Sequence, residues 1–229
     1  GSHPDIDAAL TLSYGALDPT DGAAFRLLAL HPGSTVRPVT AAALWGVPAA
    51  EAARVLDRLA AEQLLVGRDE RRIHDLVRGY GARLLADQTP RSVRDDAFAR
   101  LVAHYRDRVD GELPLDDTDI AEMTELALTG EGPAGGRFAV EVGWTLEGLG
   151  RFDAAESLFS PAAADRDPVV RRRARQGLAR LAEHAGRLRD LLFWLDEALR
   201  EDPSAEDVLL AGNAAFRLGE LAVAAERYA

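Results

Sequence analysis

The chain has no cysteine, which excludes disulfides, a thiol nucleophile and cysteine-ligated zinc together. It also has no lysine, because all 27 positive charges are arginines. A phosphate-binding loop of the form Gly-x-x-x-x-Gly-Lys-Ser/Thr is therefore excluded from this stretch. Gly1-Ser2-His3 resembles the scar left when an affinity tag is cleaved, and the remaining histidines, His31, His74, His104 and His184, are too scattered to propose a metal site by spacing. No apolar run approaches the roughly 20 residues needed to cross a bilayer. No charged-then-apolar leader is present either, so a reducing cytoplasm fits and no membrane partner is expected. Acidic side chains outnumber basic ones 38 to 27, and the net charge of −11 repels nucleic acid and anionic lipid over most of the surface. Protein partners suit such a surface better.

What is present reads as helix. At 229 residues and 47% hydrophobic content the chain can bury a core or the continuous spine of a repeat array. Setting residues 1–3 aside, residues 4–89 give helix, helix, helix, helix, hairpin, helix. Pro4 or Asp5 opens the first helix through Leu10, Leu12 and Tyr14, and Gly15 to Pro19 closes it. Thr20 caps a second, whose apolar face is Phe25, Leu27, Leu28 and Leu30 and whose stop is His31-Pro32-Gly33. Thr40 caps a short third helix through Trp45, Gly46-Val47-Pro48 breaks it, and a longer helix spans Ala49 to Gln63 with Ala52, Val55, Leu56 and Leu59 in register. Leu64-Leu65-Val66 and Arg71-Arg72-Ile73 flank a polar tip, Gly67-Arg68-Asp69-Glu70, and read as a hairpin or wing. The sum is a winged-helix domain.

Residues 90–136 read as a helical connector, with Val93, Ala97, Phe98, Leu101, Val102 and Tyr105 on one face, a helix from Asp119 to Leu128, and a loop at Gly130 to Gly136. Residues 137–229 repeat. Gly150-Arg151-Phe152, Gly186-Arg187-Leu188 and Gly219-Glu220-Leu221 lie 36 and 33 residues apart (186 − 150 and 219 − 186), near the 34 of a tetratricopeptide repeat. After each glycine the same order recurs: Ala155 then Phe159, Leu191 then Leu195, Ala224 then Tyr228. Pro203 falls where the second repeat should end, and Pro168 comes one residue late in the first. About two and a half repeats are expected, the third cut at Ala229. The expected fold class is mostly α, a winged-helix domain with a small β-hairpin wing followed by an α-helical tetratricopeptide-like solenoid.

Three stretches carry a resemblance: Leu12 to Pro19 (Leu-Ser-Tyr-Gly-Ala-Leu-Asp-Pro), Phe25 to Pro32 (Phe-Arg-Leu-Leu-Ala-Leu-His-Pro), and Ile73 to Tyr80 (Ile-His-Asp-Leu-Val-Arg-Gly-Tyr). Together they resemble the winged-helix domain of NB-ARC proteins, STAND-type signal-transducing ATPases, and in particular that of actinobacterial SARP-type transcriptional regulators, in which tetratricopeptide repeats follow. The resemblance covers residues 4–86. It implies that a Met-His-Asp motif reaches the β-phosphate of ADP bound to a separate nucleotide-binding domain and holds the ATPase closed. Here Ile73 takes the methionine's place, His74 would contact the phosphate and Asp75 would brace it. An imidazole N–H suits a phosphate oxygen, and an aspartate opening a helix accepts backbone N–H groups. The plainer readings are that Asp75 is a helix cap and nothing more, and that His74 is a packed wing residue.

In the repeats, register proposes a groove of Trp144, Glu147, Arg173, Gln176, Arg180 and Asn213 for a protein, peptide or small ligand. The basic run Arg171, Arg172, Arg173 and Arg175 reads as the solvated face of a repeat helix, with a clamp for acidic peptides as the functional version. Direct DNA binding is not expected, because the candidate recognition helix carries Arg54 and Arg58 against Glu51, Asp57 and Glu62, and Arg68, Arg71 and Arg72 on the wing face Asp69 and Glu70. No Ser-His-Asp or metal-ligand spacing singles out a catalytic set, so neither enzyme activity nor a cofactor is expected in this chain, ADP or ATP belonging to the parent. The expectation is therefore a sensor segment of an NB-ARC regulator. Its rivals are a stand-alone repeat scaffold capped by a structural winged helix, and a DNA-binding regulator.

Overall fold

The computed structural model describes residues 4–67, 70–110, 115–129, 132–200 and 205–228. They form two compact units, Gly1–Glu122 and Met123–Ala229, almost wholly helical, and no helix among them is long and apolar enough to cross a membrane.

The first unit opens with α1 (Pro4–Gly15) and α2 (Pro19–Leu27), the latter tightening into a 3-10 turn at Leu28–Leu30. The cap of α2 is Asp18, not Thr20: its carboxylate accepts the N–H groups of Thr20 and Asp21 at 2.8 and 2.9 Å. Pro19 explains the shift, since its fixed φ suits the first helical position and so places the cap at Asp18, two residues before Thr20. The same holds for α3 (Pro38–Trp45), where Pro38 leads and Thr40 is buried inside the helix without capping it. The next helix, α4 (Ala49–Ala61), buries the expected stripe of Ala52, Val55, Leu56 and Leu59. It stops short of Gln63, whose φ of +61° turns the chain away.

The wing differs from the expected hairpin. Val66 and Arg72 form a single bridge, while the ladder pairs β2 (Arg71–Arg72) antiparallel with β1 (Thr35–Val36), a strand absent from the sequence reading. Arg68 and Asp69 at the tip lie outside the described residues. Beyond the wing, α5 (Asp75–Gln88) and α6 (Arg91–Asp110) follow. The buried stripe of α6 is Ala97, Leu101, Val102 and Tyr105; Val93 is exposed and Phe98 half-buried, so the apolar face starts a turn later than expected. Arg100 ties α6 to α3 by donating to the Leu44 carbonyl at 2.9 Å.

Helix α7 (Asp117–Thr129) spans the division between the units. The second unit continues with three helical hairpins: α8 (Gly132–Gly148) with α9 (Phe152–Ala162), α10 (Pro168–His184) with α11 (Leu188–Leu199), and α12 (Ala205–Arg217) with α13 (Leu221–Tyr228). Where a loop to Gly136 was expected, α8 already starts at Gly132, and Pro133 falls in its first turn, where no intrahelical N–H is needed. Gly130 and Glu131 lie outside the described residues, as do Pro203 and the side chain of Tyr228.

The repeat glycines all do one job. Gly150, Gly186 and Gly219 have φ of +71°, +67° and +79°, a region costly for side-chain-bearing residues and natural for glycine at a helix end. The next residue then donates back five positions, Arg151 to Leu146, Arg187 to Ala182 and Glu220 to Ala215. Phe159, fully buried, fills the space between α8 and α10 so closely that a Cβ on Gly143 or Gly177 would lie 2.6 or 2.5 Å from its ring. Ala155, Leu191, Leu195 and Ala224 are buried too, in line with the small-and-large pattern. Pro168 stands at the start of α10 behind the Asp167 cap, which is why it comes late.

Candidate functional site

The start of α5 is fixed from both sides. Ile73 is buried, and its N–H donates to the Ser34 carbonyl at 2.8 Å. The chain is still extended at His74 (φ −76°, ψ 146°), and this residue, not Asp75, caps the helix: Nδ1 accepts the Leu76 N–H at 3.2 Å. Asp75 is the first helical residue, and its carboxylate sits at the positive end of the helix dipole. Both side chains are exposed, so His74 is not a packed wing residue. With Nδ1 accepting, the neutral ring carries its proton on Nε2, a donor left for an external acceptor. One turn on, Arg78 donates to the carbonyls of His31, Pro32 and Gly33 and pins the preceding loop.

A second polar centre lies inside the first unit. Arg37 donates to Asp119 at 2.7 Å and to Glu122 at 2.8 Å, Arg108 donates to Asp119 at 2.5 Å, and the Tyr105 hydroxyl donates to Glu122 at 2.6 Å. Asp119, Glu122 and Tyr105 are buried, as is His31, whose Nε2 stands 3.8 Å from Glu122. Burial, only partly offset by Glu122, pushes the His31 pKa down. Burial likewise raises the Tyr105 hydroxyl, with Glu122 adding to it. For Asp119 burial acts upward, but the hydrogen bonds from Arg108 and Arg37 hold its pKa below the ordinary carboxylate value. This clasp went unseen in the sequence because its members are up to 85 positions apart (37 and 122) and no local pattern joins them.

The repeat unit holds a cavity of about 200 Å³. Trp144, Gln176, Arg180, Glu183 and Asp207 surround it, and Leu191, Leu195 and Leu210 form its apolar floor. Three of the six expected groove residues, Trp144, Gln176 and Arg180, thus come together. Glu147 joins them indirectly, accepting from Arg180 at 3.2 Å and contacting His184 at 2.7 Å. Gln176 donates to Asp207 at 2.7 Å. The exposed Arg173 on α10 and Asn213 on α12 are not part of the cavity wall. Glu183 and Asp207, missed from the sequence, are; Glu183 shares the helical face of Gln176 and Arg180, a signal that was available.

The basic run is only partly a solvated face. Arg173 is exposed, whereas Arg171 donates to the Asp165 carbonyl at 2.7 Å and Arg175 to the Glu197 carbonyl at 2.8 Å. On the candidate recognition helix Arg58 is bound to the buried Asp21 at 2.5 and 2.7 Å, and Asp57 holds the wing's Arg71 at 2.5 Å. Two arginines that phosphate contact would need are therefore already engaged.

No protein-family profile matches the chain. Over 107 residues, 44% of its length, it is 37% identical to the regulatory protein AfsR of Streptomyces coelicolor. The chain spans only 11% of that protein. Among solved structures it is similar to PilW, a widely conserved type IV pilus biogenesis factor, with a TM-score of 0.45 and 17% identity over 78% of this chain and 82% of that one.

Proposed function

We propose that this chain is the sensor segment of an NB-ARC, STAND-type regulator of transcription, in which the winged helix reads bound nucleotide and the repeats read a partner. One observation carries it: His74 caps α5 through Nδ1, which leaves an exposed Nε2–H donor at the position that the resemblance assigns to the ADP phosphate. The likeness to AfsR supports the regulatory setting. In this reading a nucleotide-binding domain of the parent docks against the start of α5. His74 holds ADP in the off state, Ile73 anchors the motif in the core, and Asp75 favours the helix start behind it. A protein, peptide or small ligand taken up by the repeats shifts the balance toward ADP release and ATP-bound assembly. The chain itself acts as a non-catalytic cytoplasmic part. The reading is tested in the parent's reading frame upstream of Pro4, where a strand followed by Gly-x-x-x-x-Gly-Lys-Ser/Thr is expected. Its absence would overturn the nucleotide arm and leave a repeat scaffold, the reading that the cavity between α8, α10 and α12 favours.

A further inference from the structure

The repeat cavity offers an apolar floor, with Glu183 on its wall and Arg173 just outside it, one turn of α10 before Gln176. Arg173, Gln176 and Arg180 follow one another along one face of α10, with Glu183 a turn further on. Arg180 faces Glu147 and is offset by it, and Asp207 accepts from Gln176. Arg173 and Glu183 are exposed and form no ion pair among the described residues. They stand ten positions apart, about 15 Å along a helix, which an extended peptide covers in about four to five residues. Between them the cavity of about 200 Å³ over Leu191, Leu195 and Leu210 has room for a leucine-sized side chain. Trp144 stands on its wall, its buried indole N–H without an acceptor among the described residues.

We infer that this groove takes an extended peptide presenting an aliphatic side chain between an acidic and a basic residue, the acidic one toward Arg173 and the basic one toward Glu183. This deepens the repeat arm of the proposed function and rests on it. It also replaces the acidic-peptide clamp, since a groove with Glu183 and Asp207 on its wall disfavours a purely acidic occupant.

The test uses the full chain and four fluorescein-labelled eight-residue peptides followed by anisotropy at physiological salt. The first has a central leucine with glutamate two positions before it and lysine two after; two others carry lysine or glutamate at both places; the last keeps both charges but replaces leucine with serine. The first is expected to bind about fivefold tighter than either single-sign peptide, the scale of one exposed ion pair, and about tenfold tighter than the serine form. Glu183→Lys should move the preference to the double-glutamate peptide, Arg173→Glu to the double-lysine one, and the double variant should make the first peptide the weakest of the three that carry leucine. Circular dichroism melts check that the variants fold, as exposed substitutions should. Tightest binding of the double-lysine peptide, unmoved by either variant, would reduce the effect to net charge and overturn the inference. Equal binding of the serine form would do the same. No binding by any peptide at millimolar concentration would overturn the repeat arm as well, while the nucleotide arm would still be judged separately on His74.

Discussion

The two units are held in register by opposite means. In the first, a buried polar clasp joins segments distant in sequence: Arg37 reaches Asp119 and Glu122, with Tyr105 and Arg108 completing the bonds. In the second, one hairpin of turns recurs, and helices are matched by size, with Phe159 seated against Gly143 and Gly177. A charge removed from a clasp leaves its partners buried and unpaired, whereas a ring removed from a stack leaves a void. The first unit should therefore be sensitive to pH and the second to volume.

That contrast can be broken in order of effect. Phe159→Ala is expected to cost the repeat unit about 3 to 5 kcal/mol, the range for a large aromatic lost from a core, with no dependence on pH between 5 and 8; urea melts at several pH values measure it. Glu122→Ala should cost the first unit about 3 kcal/mol, because Arg37 and Tyr105 lose a buried partner. The pH profile of the unchanged protein sharpens the point. His31 has a folded pKa below its ordinary 6.5, so its neutral form suits the folded state and stability falls as pH drops below 6.5 toward the folded value. Asp119 has a folded pKa below its ordinary 3.8, so its contribution is intact above that pH and is lost as pH falls through the folded value. A first unit that melts identically at pH 7.5 and pH 5 would contradict the His31 part. The smallest effect is local: Asp18→Ala should cost about 1 kcal/mol through the lost α2 cap, while Thr20→Ala should cost much less, the reverse of what the sequence suggested.

Much of the fold was legible because it is written locally. Helical stripes such as Ala52, Val55, Leu56 and Leu59 repeat every three to four residues, and the helix-ending glycines mark the hairpins without reference to anything distant. The misses have physical causes. Proline at the first helical position moved two expected caps, and β1 is two residues whose partners, Arg71 and Arg72, lie 35 and 37 positions away (71 − 36 and 72 − 35). Of the candidate groove, Trp144, Gln176 and Arg180 were readable from repeat register, but register alone could not show that Asn213 stands off the cavity or that Asp207 closes it. At the sensor, the Ile-His-Asp order was visible while the division of labour was not. Which residue caps a helix is decided by where the backbone leaves the extended region, and here that is at His74.

The most direct measurement is the amount of ADP that co-purifies with the full-length parent carrying His74→Ala, compared with the unchanged protein and with His74→Gln, which keeps an N–H donor. Loss of most of the bound ADP from the alanine form, partial retention by the glutamine form and a rise in basal activity are the expected results. Undiminished ADP and unchanged basal activity in the alanine form would contradict the account and leave His74 as the N-cap of α5 alone.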